Sequence, residues 1–139
     1  MILVDSNILI DLFSHDAQWY DWSREQIGRA AHGAYLFVNP IVVGELSWKF
    51  ESFERFTQIL TALLIGIEPF DGKAGHCAGD AYHRYRLRRG EDSPKLPLPD
   101  FLIGGHAQSL GATILTRDAR FYRVYFPQVP LILPETIND

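Results

Sequence analysis

Ile2-Leu3-Val4-Asp5-Ser6-Asn7-Ile8-Leu9 is the stretch on which the fold turns. Ile2, Leu3 and Val4 make a short apolar run of β type. It stops at Asp5-Ser6-Asn7, residue types that cap helices, and a second apolar segment, residues 8–13, follows at once. A strand turning straight into a helix is the opening of a βα unit. The same alternation recurs downstream. A polar helix is expected over residues 17–31, closed by Gly33. Residues 35–38 are apolar and β-prone. Asn39-Pro40 then supplies an N-cap followed by proline at N1, a strong helix start, with Ile41, Val42, Glu45, Leu46 and Phe50 in the segment it opens. Residues 53–64 place Phe53, Phe56, Ile59, Leu60, Leu63 and Leu64 on one helical face. A strand is expected within residues 65–70 and a helix over 72–89, terminated by Gly90. A polar loop spans residues 91–97. Pro99 opens a helix over residues 100–110 that Gly111 closes. A strand at 112–115, a turn, a short helix at 119–125 and a last strand within 129–133 complete the chain. Strands alternating with helices imply a parallel sheet covered on both faces. In such sheets ligands bind beyond the carboxyl ends of the strands, where the strand order switches.

Composition sets the outer bounds. A chain of 139 residues, 47% hydrophobic and 22% charged, suits one compact domain, taken as residues 1–139. The 11 Gly and 8 Pro are scattered, so no linker or low-complexity segment stands out. No stretch is long and apolar enough for a membrane span. The first twelve residues carry Asp5 and Asp11 and no basic group, so they do not read as a signal peptide. Cys77 is the only cysteine, which excludes an internal disulfide and a cysteine-based zinc site and fits a cytoplasmic protein. The net charge of −4 argues against a generally basic nucleic-acid binder. Setting aside four acids that hold cations would leave thirteen acids against thirteen bases, so attraction of a polyanion would fall to metal and to a local patch.

Four acids fit that role. Asp5 follows the first strand and Asp118 the strand at 112–115. Asp100 lies in the first turn of its helix, and Glu45 about a turn and a half into the helix opened by Asn39-Pro40. In a parallel αβ fold, strand ends and helix starts gather at one edge, so all four are expected in one cleft. Each has a plainer reading. Asp5, Asp100 and Asp118 are also good helix-start residues. Glu45 sits among Val42, Val43 and Leu46, where a charge needs a partner. Caps alone give no reason for such a gathering. Clustered carboxylates repel and raise one another's pKa unless cations neutralise them, and hard oxygen ligands favour Mg²⁺ or Mn²⁺. The chemistry this suits is phosphodiester hydrolysis, in which divalent ions activate water and stabilise the attacking and leaving oxygens. Thr116 and Ser6 have hydroxyls at the same edge, suited to orienting a water or a carboxylate. Asn7 is placed to support Asp5 or to touch a phosphate.

These residues resemble the PIN-domain family. Ile2-Leu3-Val4-Asp5-Ser6-Asn7 is similar to the family's opening block. Asn39-Pro40-Ile41-Val42-Val43-Gly44-Glu45-Leu46 is similar to its second. Leu98-Pro99-Asp100-Phe101-Leu102-Ile103-Gly104-Gly105-His106-Ala107 is similar to its third, and Leu115-Thr116-Arg117-Asp118 with Tyr122 to its fourth. The blocks fall in the family's order across nearly the whole chain. The resemblance implies a Rossmann-like α/β fold with a central parallel sheet of about four to five strands and helices on both faces. It implies a Mg²⁺- or Mn²⁺-dependent endoribonuclease with Asp5, Glu45, Asp100 and Asp118 as its acidic quartet. A short solitary domain of this kind resembles VapC toxins in particular. Those cut RNA such as tRNA or rRNA, usually dimerise, and are inhibited by a small VapB antitoxin. Gly104-Gly105 departs from the small helix formers usual there; the pair costs helix stability but permits close helix packing.

Tyr82, His83, Arg84, Tyr85, Arg86, Arg88 and Arg89 mix basic and aromatic groups. Arg84 and Arg86 are expected to touch RNA, and Tyr82 and Tyr85 to face the core. The five histidines lack metal-ligand spacing. Trp19, Trp22 and Trp48 are read as core or interface residues. A haloacid-dehalogenase-like phosphatase would want an Asp where Asn7 stands. A phospho-receiver would want an acidic pair in the first turn and a Lys after a late strand, and neither is present. A non-catalytic interaction module on the same scaffold, or a nuclease acting on DNA, remains as the alternative.

Overall fold

The computed structural model describes residues 1–134. Five strands form one fully parallel sheet: β1 (Ile2–Val4), β2 (Leu36–Val38), β3 (Ile65–Ile67), β4 (Thr113–Leu115) and β5 (Leu131–Ile132), in the order β3-β2-β1-β4-β5. Seven α-helices connect them: α1 (Ser6–Phe13), α2 (Tyr20–Gly33), α3 (Pro40–Leu46), α4 (Phe53–Ala62), α5 (Gly72–Arg88), α6 (Leu98–Leu110) and α7 (Ala119–Tyr125). This is the expected Rossmann-like α/β architecture. No helix among the described residues is long and apolar enough to cross a membrane.

The central strands are apolar at every position but Thr113, because both sheet faces are covered. Leu3, Val4, Phe37, Val38, Ile114 and Leu115 are all fully buried. The chain winds outward from β1 to β2 and β3. It then returns through α5 and α6 to place β4 on the other side of β1. The strand order therefore switches between β1 and β4. Val4 pairs with Leu115 in register, so the next residue on each strand, Asp5 and Thr116, emerges side by side.

Most helix starts follow the expected cap chemistry. The Asn39 side chain accepts from the Val42 amide at 3.0 Å, Asp71 from Ala74 and Asp118 from Phe121. Several boundaries differ, each for a local reason. α1 begins at Ser6, not Ile8, because Asp5 itself is the cap and accepts from the Ser6 amide at 2.8 Å. α2 begins at Tyr20, not residue 17, because the Asp16 carboxylate binds the amides of Gln18 and Trp19 in a turn. α6 begins at Leu98, with Pro99 inside its first turn. The edge strands are shorter than expected, three residues for β3 and two for β5. Trp48 is not a core residue. It lies on a short 3-10 turn (Ser47–Lys49) and is 74% exposed, its indole N–H bonded to the Glu45 carbonyl.

Gly104 and Gly105 have a packing reason. A Cβ on Gly105 would overlap the Ala78 backbone of α5, and one on Gly104 the Phe126 ring. The two glycines let α6 lie against α5 and the Phe126 ring at close range, which seats Asp100 at the sheet edge. Tyr85 is buried as expected, with Tyr82 partly so.

Candidate active site

Asp5 is the centre of the site. It is buried, 6% exposed, and its carboxylate collects donors from three elements. Oδ1 accepts from the Ser6 amide, and Oδ2 from the Thr116 hydroxyl at 2.8 Å and the Tyr122 hydroxyl at 3.0 Å. The Asn7 amide approaches Oδ2 at 3.4 Å. Burial nonetheless raises its pKa, working against the hydrogen bonds from Thr116, Tyr122 and Ser6, and the Glu45 charge adds to the rise.

Thr116 is fully engaged. Its hydroxyl donates to Asp5 and accepts from the Asp118 amide at 2.9 Å and the Asn7 amide at 3.2 Å. Of the two uses expected for it, the structure shows it orienting a carboxylate. Asn7 also accepts from the Arg117 amide through its Oδ1, so it links α1 to the loop after β4. The Ser6 hydroxyl donates to Glu45 Oε1 at 2.7 Å and orients that carboxylate. Glu45 is exposed, contrary to its apolar flanks, because α3 turns that face outward to the cleft.

Asp100, in the first turn of α6, is half-buried and its pKa is raised to about 6. Burial is the main cause, and the charges of Asp5, Glu45 and Asp118 add to it. All four acids thus share one electrostatic neighbourhood at the strand switch. Asp100 and Asp118 also border a cavity of about 520 Å³ with Arg120, Phe121 and Tyr125. Among the described residues no three Asp, Glu, His or Cys side chains converge on a single ion-sized point. The donor set still fits a hard divalent ion. It is all oxygen, its mutual repulsion is what a cation relieves, and Mg²⁺ is usually held by one or two carboxylates while keeping several waters.

Two expected contacts lie elsewhere. Arg84 on α5 is bound to Asp80 at 2.8 Å and to the Tyr125 carbonyl, and Arg86 borders a shallow pocket with Arg89 and Glu91. Neither borders the cavity beside the acids.

Sequence reasoning missed two features. Tyr122 reads from the sequence as a motif residue that packs with Phe121, Tyr125 and Phe126 against the C-terminal strand, yet its buried hydroxyl donates to Asp5. The signal was its place one turn after the Asp118 cap, on the face turned back toward the strand edge. The other is Arg117, which grips the buried Asp11 through Nε and Nη2, both at 2.8 Å, while Ser23 donates to the same carboxylate. Asp11 lies in an apolar helix, where a charge requires a partner.

Comparison with known proteins bears on the family and the fold. The family model described as PIN domain matches residues 2–127. A search of curated proteins finds no match. Among solved structures, VapBC2 from Rickettsia felis, bound to a DNA fragment from its promoter, aligns with a TM-score of 0.71 at 22% identity, covering 96% of this chain and 98% of that one. VapBC-1 from nontypeable Haemophilus influenzae aligns at 0.69 and 17% identity, covering 96% and 98%. A toxin–antitoxin complex from Klebsiella pneumoniae aligns at 0.67 and 21% identity, covering 99% and 100%. At these identities the likeness establishes the fold.

Proposed function

This chain belongs to the PIN domain family, and from that premise we propose that it is a Mg²⁺- or Mn²⁺-dependent endoribonuclease of the VapC toxin type. The observation that carries the proposal is the gathering of Asp5, Glu45, Asp100 and Asp118 at the strand switch, close enough that three of them raise the Asp100 pKa. Structural acids have no reason to accept that repulsion.

Asp5, Glu45, Asp100 and Asp118 are the residues that would hold divalent ions. When bound, such ions activate water and stabilise the attacking and leaving oxygens of a phosphodiester. The chain's own residues do the rest. Thr116 and Tyr122 fix the Asp5 carboxylate through hydroxyl donors, and Ser6 fixes Glu45. Thr116 therefore acts as a positioning residue. Asn7 braces the loop that carries Thr116 and Asp118. Asp100, whose carboxyl is protonated more readily than usual because of burial and its acidic neighbours, is the acid whose charge a bound cation would favour most. The target is RNA, with tRNA or rRNA as the substrate class. The partners are a small VapB-like antitoxin and a second copy of the chain, and the compartment is the cytoplasm. The toxin–antitoxin complexes among the structural neighbours support the antitoxin assignment.

The test is purified protein on total RNA. Cleavage should require Mg²⁺ or Mn²⁺ and disappear with chelator and in Asp5→Asn. Activity that survives both treatments would overturn the metal mechanism, and no activity under any condition would favour an interaction module. Expression should arrest growth, and co-expression of a small product encoded beside it should relieve the arrest.

A further inference from the structure

The cavity beside the acids is bounded on its far side by Pro94, Leu96 and Tyr125, and the same three residues border a second cavity of about 250 Å³. The second cavity's other wall is Tyr85, Arg88, Arg89 and Ser93. The two cavities adjoin across these three residues and are read together as one groove. Along it the charge changes sign: Asp100 and Asp118 at one end with Arg120 at the lip, an apolar stretch of Leu96 and Tyr125, then Arg88 and Arg89. Its wall is built rather than loose. The Tyr85 hydroxyl donates to the Pro94 carbonyl at 3.0 Å and accepts from the Leu96 amide at 2.7 Å, tying the loop to α5.

The arginines sort by pairing. Arg29, Arg84 and Arg117 are held by Glu25, Asp80 and Asp11. Among the described residues, Arg24, Arg55, Arg86, Arg88, Arg89, Arg120 and Arg123 have no carboxylate within ion-pair distance, and of these Arg88, Arg89 and Arg120 line the two cavities. Unpaired guanidinium groups spaced along a groove that starts at a carboxylate cluster suit a chain of phosphates, and the apolar stretch between them suits a base. We infer that this groove carries single-stranded RNA away from the acid site, with Arg120 and then Arg88 and Arg89 binding phosphates and the Leu96–Tyr125 wall receiving a base. The inference rests on the nuclease reading above, and it moves the substrate contacts from Arg84 and Arg86 to Arg88, Arg89 and Arg120.

The test is anisotropy of a fluorescein-labelled dodecauridylate with the full-length protein in EDTA, titrated from about 50 to about 200 mM KCl. Arg88→Ala/Arg89→Ala should weaken binding about tenfold or more and flatten the log–log salt dependence by about 1.4. Replacing both arginines by Lys should restore much of the affinity. Arg24→Ala, on α2, should change neither quantity. Wild-type affinity in the double Ala variant overturns the groove as the RNA path. An equal loss in Arg24→Ala, or no binding by the wild type, overturns it too. Cleavage is read separately on total RNA with Mg²⁺. Arginine-dependent binding without any cutting sinks the nuclease reading and leaves the groove standing. Cutting with arginine-independent affinity does the reverse.

Discussion

Replacing Arg117 with Ala should destabilise the protein more than its surface position suggests. The Asp11 side chain is 1% exposed and that of Arg117 26%. The guanidinium supplies two of the three donors to that carboxylate and lies 5.0 Å from the centre of the Trp19 ring. Truncation leaves a buried carboxylate with Ser23 as its remaining side-chain donor. Breaking a buried pair in this way costs about 3–5 kcal/mol, and loss of the stacked cation adds about 0.5–1 kcal/mol. A domain of this size has a total stability of roughly 7–20 kcal/mol and loses about 3–5 °C in Tm per kcal/mol, so a fall of about 10–30 °C is expected. Arg117→Lys keeps the charge without the two-pronged geometry and should lose about half as much. In Arg117→Ala/Asp11→Ala the stranded charge is gone, so the double variant should be more stable than the single one by about 2 kcal/mol. Thermal and urea unfolding followed by circular dichroism measure these four proteins together with Asp11→Ala, which completes the cycle. A fall of under about 2 °C in Arg117→Ala, or strict additivity in the double variant, would refute the idea of a buried strut.

Asp100 gives a pH signature. Its folded pKa of about 6 lies above the ordinary value of 3.8, so the folded state binds more protons between those values and stability falls as pH rises through that window. Asp100→Asn should therefore raise Tm near pH 7.5 and leave it nearly unchanged near pH 4; a less stable Asn variant near pH 7.5 would contradict the assignment. Adding Mg²⁺ or Mn²⁺ at matched ionic strength should raise the wild-type Tm, by about 2.7 kcal/mol of stability at a hundredfold excess over Kd, and less in Asp5→Asn. Equal shifts in both proteins would show that the ion binds elsewhere. Two glycine substitutions should have opposite signs in denaturant titrations. Gly105→Ala overlaps the Ala78 backbone and should cost about 1–3 kcal/mol, whereas Gly28→Ala, in open space on α2, should gain about 0.5–1 kcal/mol.

The fold was legible because its signals are local and repeated. Apart from Thr113, the central strands are apolar throughout, and five helix starts carry an Asp, Asn or Ser whose side chain binds a backbone amide of the first turn. What the sequence left out depends on competition between neighbours. Nothing at Ala17 forbids helix; the Asp16 carboxylate binding the next two free amides delays it to Tyr20. The lengths of β3 and β5 depend on how far each edge is paired, which no single strand encodes. The gathering of the four acids followed from topology alone, because a parallel sheet with a strand switch brings β1 and β4 ends together.

The interior of the site was less legible, and Glu45 and Asp11 show why. Both are acids in short apolar helices, and both invite the argument that a charge among apolar neighbours needs a partner. That argument was applied to Glu45, which turns out to be exposed and held by one hydroxyl from Ser6. It was not applied to Asp11, which is buried and held by Arg117 and Ser23. Sequence neighbours therefore do not decide burial on a helix; the face does. α3 carries Val42 and Leu46 inward, and Glu45, one residue before Leu46, is rotated about 100° away. On α1 the inward set is Ile8, Leu9 and Asp11, so Asp11 lies on the core side and must be neutralised there. Its partner stands between Thr116 and Asp118, so neutralising a core charge also fixes the loop that presents both residues to Asp5. The precision of the acid site thus depends on a salt bridge whose two members are each unremarkable in isolation and are separated by more than a hundred positions in the chain.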